Sequence, residues 1–188
     1  MAYPYFAATL PLQRFGEAPA MGLDDFRASC AEHLSASDNV ALVALLDGGE
    51  NRHSYVRAWR AIDTQFRNAV ARQRAARLAA KQGGDRGGTP AGDASKWLHP
   101  HEGWSVALET AVTAAFQEAN PLKRERALAR IRWDWAEELA GRDPFSAEAI
   151  FAYGLRLQLA TRLAAVDAEK GDARLCAFAE TVSLEKDV

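Results

Sequence analysis

SAEAIFAYGLRLQLATRLAAVDAEKG, residues 146–171, decides the fold, because its apolar residues lie almost all round a helix. One side carries Ile150, Tyr153, Leu157 and Ala160, and another carries Phe151, Leu155, Leu159 and Leu163. Ser146 is placed to cap this helix, and Gly171 is placed to end it. A helix that is apolar all round is buried, so the sequence predicts that it lies in the middle of a bundle.

Further helices are predicted upstream of this one. Residues 54–81, SYVRAWRAIDTQFRNAVARQRAARLAAK, have apolar residues at helical spacing. Residues 121–141, PLKRERALARIRWDWAEELAG, begin with a proline at the favoured first turn and end at Gly141. Between them, a helix that stops at Asn120–Pro121 is predicted to carry one stripe of Trp104, Leu108, Ala111, Ala115 and Ala119. Beyond the Gly-rich residues at about 82–96, no run of alternating apolar and polar residues is long enough to predict a strand, and the predicted class is all-α.

The N-terminal third is predicted to hold shorter elements. Residues 2–11, AYPYFAATLP, contain two prolines, which favour an extended segment. A short helix is predicted over 23–34 and another over about 38–46, with Ser37 as its cap and Gly48–Gly49 as its stop. The Gly-rich residues at about 82–96 are too poor in large apolar groups to pack, and they predict a mobile loop. We therefore expect one helical domain over 1–188, with three to four long helices.

Composition narrows the class of protein. The chain has 188 residues and a mass of 20.5 kDa, long enough for one core and short for two. Its net charge is −2 and its pI about 6.1, whereas a nucleic-acid binder is usually basic overall. Cys30 and Cys176 lie far apart, which suits a reducing compartment. The sequence lacks a signal peptide and any 18-residue apolar run, so we expect a cytoplasmic protein without direct membrane insertion.

The arginines of residues 54–81 are placed by their angle around the helix. Most of them fall beside or behind the apolar stripe and are predicted to be solvated: Arg57, Arg60, Arg67, Arg72 and Arg74. Asp63 and Arg67 are spaced as an i,i+4 ion pair. The centres of the stripes on the three longest helices are predicted to be buried: Trp59, Phe66, Trp133, Tyr153 and Leu157.

Some charged residues fall on apolar stripes. We call them the polar seam: Asp63, Arg77, Glu125, Arg132 and Arg156. A charge on a core face needs a partner, because an unpaired buried charge is costly. The seam therefore predicts ion pairs between helices, or a groove whose charges await a partner helix. An acid/base dyad in a cleft is a further alternative, although no histidine or cysteine lies at motif spacing to these residues.

Other chemical motifs are weak. His99 and His101 in HPHE, with Cys30 and His33, have zinc-ligand types, but their spacing matches no finger or catalytic motif. GGDRGG lacks the pattern of a phosphate-binding loop, and no GxSxG or HExxH occurs. The sequence predicts no catalytic residues, no cofactor site, no metal site and no enzyme activity.

The order of its segments adds a resemblance. YFAATLP, LDDFRASCAEHLSASDNVALVALL, YVRAWRAIDTQFRNAVARQRAARL, NPLKRERALARIRWDWAEEL and the 146–171 stretch together resemble a small bacterial family of unassigned function. The genes of that family sit among those of V/A-type ATPases. The family looks like a divergent form of the central-stalk component that is lettered C in bacteria and d in eukaryotes.

The resemblance implies a non-catalytic helical protein of the central stalk, which seats the rotor shaft on the membrane ring. Its partners would be other ATPase subunits, and it would lie in the cytoplasm, peripheral to the membrane. The usual stalk component is considerably larger than 188 residues, so this chain corresponds to part of it. A free-standing helical adaptor or assembly factor is the alternative function.

Overall fold

The computed structural model describes residues 2–81 and 98–165. Within these ranges the helices are α1 Pro4–Thr9, α2 Leu23–His33, α3 Ala36–Asp47, α4 Ser54–Lys81, α5 Val106–Gln117, α6 Pro121–Ala140 and α7 Ala147–Ala164. An isolated antiparallel bridge joins Ala2 to Ser146. The predicted all-α class is confirmed. The predicted loop at about 82–96, the predicted helix stop at Gly171 and the second cysteine, Cys176, lie outside the described residues.

The N-terminal segment forms α1, so the predicted extended conformation is wrong. Pro4 occupies the first turn, where the amide hydrogen that proline lacks would have no helical partner. Phe6 is buried, and its ring stacks on that of His33 with a centroid distance of 4.8 Å. Packing against α2 thus outweighs the local preference of the two prolines.

The two short helices, α2 and α3, occur close to their predicted ranges. Phe26 and Cys30 of α2 are fully buried. The cap of α3 is Ser35, whose Oγ accepts a hydrogen bond from the Asp38 amide at 3.2 Å, and not Ser37 as predicted. Gly48 ends α3 in the left-handed region at φ 73°, as its sequence position predicts.

Helices α4 and α6 follow their predicted ranges, but α5 starts later than the predicted stripe. The Ser105 Oγ accepts a hydrogen bond from the Leu108 amide at 3.2 Å, which fixes Val106 as the first helical residue. Trp104 therefore precedes α5, and 61% of it is exposed. The buried face of α5 includes Val112 and Phe116, which the predicted stripe omitted.

Helix α7 lies at the centre of the described structure. Its buried residues run from Ala147 to Ala160, and it contacts α2, α3 and α6. At Gly154 the ring of Phe26 comes so close that an added Cβ would lie 2.8 Å from its Cε1 atom. The prediction of a helix buried on nearly every side is confirmed.

Two apolar clusters make up most of the core, and α4 takes part in both. The first joins α2, α3 and α7 to the start of α4 around Tyr55 and Trp59. The second joins α5 and α6 to the middle of α4 around Phe66 and Val70. All the residues predicted for the stripe centres are buried: Trp59, Phe66, Trp133, Tyr153 and Leu157.

Candidate functional site

A cavity of about 610 Å³ lies between α4, α6 and α7, and we call it the groove. Apolar side chains from all three helices line it: Phe66, Val70, Leu128, Leu159 and Leu163. Charged side chains line it as well: Asp63, Arg67, Arg74, Glu125, Arg132 and Arg162. The groove therefore combines an apolar surface with an excess of guanidinium groups over carboxylates.

The most buried charge of the groove is Asp63 on α4, of which 8% is exposed. Arg132 of α6 places its Nη2 atom 2.8 Å from Asp63 Oδ1, and Arg67 places its Nη2 atom 2.7 Å from Oδ2. The contact at Oδ1 is short but does not count as a hydrogen bond, so we treat it as an ion pair. Asp63 thus connects two helices and also forms the predicted i,i+4 pair.

The Arg132 guanidinium is held by aromatic rings as well as by charge. Its Cζ atom lies 5.6 Å from the ring centroid of Trp59 and 5.8 Å from that of Phe66. Burial lowers the pKa of Arg132, and the negative charge of Asp63 opposes this effect. An arginine so placed stays charged at neutral pH, because the ordinary pKa of a guanidinium group lies far above neutrality. Asp63 and Arg132 therefore form a fixed charged wall of the groove.

The rim of the groove carries looser charges. Glu125 Oε1 lies 3.9 Å from Arg74 Nη2; the Arg74 side chain is exposed, and that of Glu125 is partly exposed. Glu125 does not pair with Arg132 in the described structure, although both occupy the apolar arc of α6. Arg162 on the last turn of α7 is also exposed. These groups can change partners at little cost, because exposed ion pairs contribute little to stability.

The other two residues of the predicted polar seam lie elsewhere. Arg77 donates through Nη2 to the carbonyl oxygen of Phe116 on α5, and its Cζ atom lies 5.1 Å from that ring centroid. Arg156 faces α6, with Nη1 3.7 Å from Glu137 Oε2 and Cζ 5.4 Å from the ring of Trp133. The structure therefore brings Asp63, Glu125 and Arg132 to one groove and separates the two remaining arginines from it.

The predicted solvated arginines divide into two groups. Arg57, Arg67 and Arg74 are exposed, as predicted. Arg72 is half-buried, because its Nη2 atom lies 2.6 Å from Glu109 Oε1 of α5. Arg60 is also only partly exposed and lies 3.1 Å from Glu50 Oε1.

Two buried amide side chains of α4 were missed by the sequence analysis. Gln65 exchanges hydrogen bonds with the backbone of Ser105, donating at 2.8 Å and accepting at 3.0 Å. Asn68 does the same with the backbone of His99, donating at 2.7 Å and accepting at 3.0 Å. Both side chains attach the chain before α5 to α4. Their position beside the apolar stripe of α4 is the sequence feature that could have predicted their burial.

Among the candidate metal ligands, Cys30 is buried in the apolar core, and His33 and His101 stack on different aromatic rings. The His33 ring stacks on Phe6, and its Nδ1 atom lies 2.8 Å from the Ser29 carbonyl oxygen. The His101 ring stacks on Trp104 with a centroid distance of 5.9 Å. Within residues 2–81 and 98–165, no group of three histidine, cysteine or acidic side chains is arranged to hold a metal ion.

The composition of the helices bears on membrane insertion. Of the helices in the described ranges, none combines the length and the apolar character needed to cross a bilayer.

Comparison with known proteins gives one match. A family model described as a protein of unknown function (DUF2764) matches residues 106–184, a range that contains α5, α6 and α7. No curated protein and no solved structure matches the chain. The matched range supplies the α6 and α7 sides of the groove, whereas α4 lies before it.

Proposed function

We propose that this protein is a non-catalytic accessory component of a V/A-type ATPase. Its role would resemble that of the C-type (eukaryotic d-type) protein of the central stalk, which links the rotor shaft to the membrane ring. The proposal rests on the ordered sequence resemblance described above. The observation that carries it further is the groove, because a stalk protein works by holding helices of its neighbours.

The groove has the composition of a binding site for an amphipathic helix. Such a helix places apolar residues every three or four positions along one face and lays that face into an apolar groove. Phe66, Leu128 and Leu159 come from three different helices and offer a surface of this kind. Asp63 and Arg132 neutralise each other beneath the rim, so they do not oppose an apolar face.

The charges around the groove favour an acidic partner. Its lining contains Arg67, Arg74, Arg132 and Arg162 against Asp63 and Glu125, a difference of two positive charges. Complementary charge directs association and fixes the register of a docked helix. We therefore assign the groove to a helix of another ATPase subunit whose polar face carries aspartate and glutamate next to its apolar stripe.

Affinity capture of the tagged full chain from its native cell, with mass spectrometry, tests this function. The parent protein is expected to retain shaft and ring subunits of the ATPase. Arg74→Glu with Arg162→Glu reverses the charge of the rim and should reduce their recovery by about tenfold or more. Arg57→Glu with Arg126→Glu makes the same change in charge at exposed arginines outside the groove lining, and it should have no effect.

The other outcomes contradict the proposal in distinguishable ways. Recovery of assembly factors without shaft or ring subunits would favour the adaptor function. Equal loss of partners in the rim and control variants would remove the groove from the interface. A stable dimer in sedimentation that the rim variant dissociates would assign the groove to a second copy of the chain.

A further inference from the structure

A second cavity, of about 380 Å³, lies nearer the start of α7, along its residues 149–156. The chain after α1 forms one wall through Leu10 and Pro11, and the end of α6 forms another through Ala140. Tyr153 and Arg156 of α7 line it as well. None of the residues that line the groove takes part in this cavity.

Two hydrogen-bond donors at this cavity lack an acceptor. The Tyr153 hydroxyl and the Arg156 Nε atom are buried, and neither has a hydrogen-bond partner among the described residues. Only 6% of Tyr153 is exposed. The nearest carboxylate oxygen to Arg156, Glu137 Oε2, is 3.7 Å from Nη1, which is too long for a hydrogen bond. Buried polar groups are nearly always paired, so this pair of donors requires an explanation.

Both donors are held in place by their surroundings. Tyr153 packs against Phe26 with a ring centroid distance of 5.4 Å. The Arg156 guanidinium lies against the ring of Trp133 at 5.4 Å. Side chains fixed in this way present donors without a further loss of freedom when an acceptor arrives.

We infer that this cavity binds a small monocarboxylate with an aliphatic body. The carboxylate oxygens would accept hydrogen bonds from the Tyr153 hydroxyl and from Arg156 Nε, and a charged acceptor makes the stronger bond with arginine. Leu10, Pro11 and Ile150 supply the apolar contact for the aliphatic part. The inference is independent of the ATPase role.

The charges that line the cavity favour a single negative charge on the ligand. Arg142 and Arg156 are matched by Glu137 and Asp143, so the lining carries no net charge. A phosphate dianion would have to enter a site that offers no excess positive charge. A monocarboxylate needs only the two free donors and the apolar wall.

Isothermal titration of the full chain with butyrate, hexanoate and phenylacetate tests the inference. At least one carboxylate is expected to bind about tenfold or more tightly than its primary amide, because the amide lacks the charge. Tyr153→Phe retains the ring, and Arg156→Gln retains a polar chain. Each should weaken binding of the carboxylate by about tenfold or more, whereas Arg57→Gln should leave it unchanged.

Three results would overturn the inference. In the first, none of the carboxylates binds, and the two donors are then satisfied by solvent. In the second, the amide binds as well as the carboxylate. In the third, Tyr153→Phe and Arg156→Gln both bind the carboxylate as tightly as the parent does.

Discussion

At the scale of single residues, the buried charges illustrate what the sequence can and cannot predict. Arg132 lies at the centre of an apolar arc, so its need for a partner was predictable from its helix alone. Its partner is Asp63 and not Glu125, because the packing of α4 against α6 brings Asp63 Oδ1 to 2.8 Å from Arg132 Nη2. That packing depends on both helices, and neither helix encodes it by itself.

Replacement of the Asp63–Arg132 ion pair by apolar residues gives the first prediction. Asp63→Leu leaves the Arg132 guanidinium partly buried without its partner and should lower the free energy of unfolding by about 2–4 kcal/mol. Adding Arg132→Met should recover most of this loss, since matched apolar residues can replace a buried pair. Urea denaturation measures both variants.

Glu125→Leu is the control for this replacement. Its pair with Arg74 is exposed, so the variant should stay within about 0.5 kcal/mol of the parent. A double variant no more stable than Asp63→Leu would contradict the apolar replacement. If the double variant folds normally and loses the ATPase subunits in capture, the pair also contributes to the interface.

Two buried tyrosines give a second prediction, because only one of them is hydrogen bonded in the described structure. The Tyr55 hydroxyl donates to the Ala136 carbonyl oxygen at 2.8 Å, whereas the Tyr153 hydroxyl has no partner. Tyr55→Phe should cost about 1 kcal/mol, and Tyr153→Phe should cost close to nothing without ligand. Thermal unfolding of the two variants checks the difference, and equal losses would contradict it.

The first of these tyrosines, Tyr55, also predicts a dependence on alkaline pH. Burial raises the pKa of Tyr55 above its ordinary value of about 10, so the folded state keeps the proton when the unfolded chain has lost it. The contribution of Tyr55 to stability is therefore complete below about pH 10 and falls as the pH rises further. In urea denaturation at a series of pH values, Tyr55→Phe should show a smaller loss of stability than the parent between about pH 10 and 12.

At the scale of elements, the glycine, serine and proline residues between apolar stretches predicted most helices, but they did not fix every first residue. Gly48, Gly141 and Ser146 end or cap helices as predicted. Ser35 competes with Ser37 within the same few residues, and only the backbone conformation decides which serine reaches the amide of Asp38. Helix α1 was missed because the burial of Phe6 depends on α2, which lies well beyond the local sequence.

The cap of α3 provides a prediction with its control built into the sequence. Ser35→Ala removes the acceptor for the Asp38 amide and should cost about 1 kcal/mol. Ser37→Ala, two residues further on, should be within about 0.5 kcal/mol of the parent. Chemical denaturation of the two variants compares them, and a larger loss for Ser37→Ala would restore the cap predicted from the sequence.

At the scale of the whole molecule, α4 joins two apolar clusters that the sequence did not separate. Each stripe residue was correctly predicted to be buried, but the division between clusters follows from which helices meet along α4. Asp63 and Gln65 lie on α4 between Trp59 of the first cluster and Phe66 of the second. Whether the clusters unfold together decides whether the single domain predicted over 1–188 is correct.

Thiol labelling of unfolding intermediates answers that question. Cys30 in the first cluster is fully buried, and burial raises its pKa to about 12, so its reactive thiolate is scarce in the folded state. In a Cys176→Ser background, its labelling at pH 8 should require unfolding. Val112→Cys, in a background without Cys30 or Cys176, reports the second cluster in the same way.

One cooperative domain predicts nearly equal protection at the two positions. After correction for the stability of each variant, the opening free energies should agree within about 1 kcal/mol. Much weaker protection of the thiol introduced by Val112→Cys would show that the second cluster opens alone, and the single-domain prediction would be wrong.

The central position of α7 also means that the two described stretches of chain, residues 2–81 and 98–165, each bury apolar side chains of the other. Phe151 packs on His53 and Tyr55, and Tyr153 packs on Phe26, so part of the packing around α7 comes from residues before 82 and the rest from α6. A polypeptide that began at Val106 would retain the family match and yet leave these rings in water. We expect the separate polypeptides 1–97 and 98–188 to fold only when they are mixed, because both apolar clusters draw residues from each of them, and circular dichroism of each fragment and of the mixture measures this. We therefore expect the range of the family match to be shorter than the range of chain that folds.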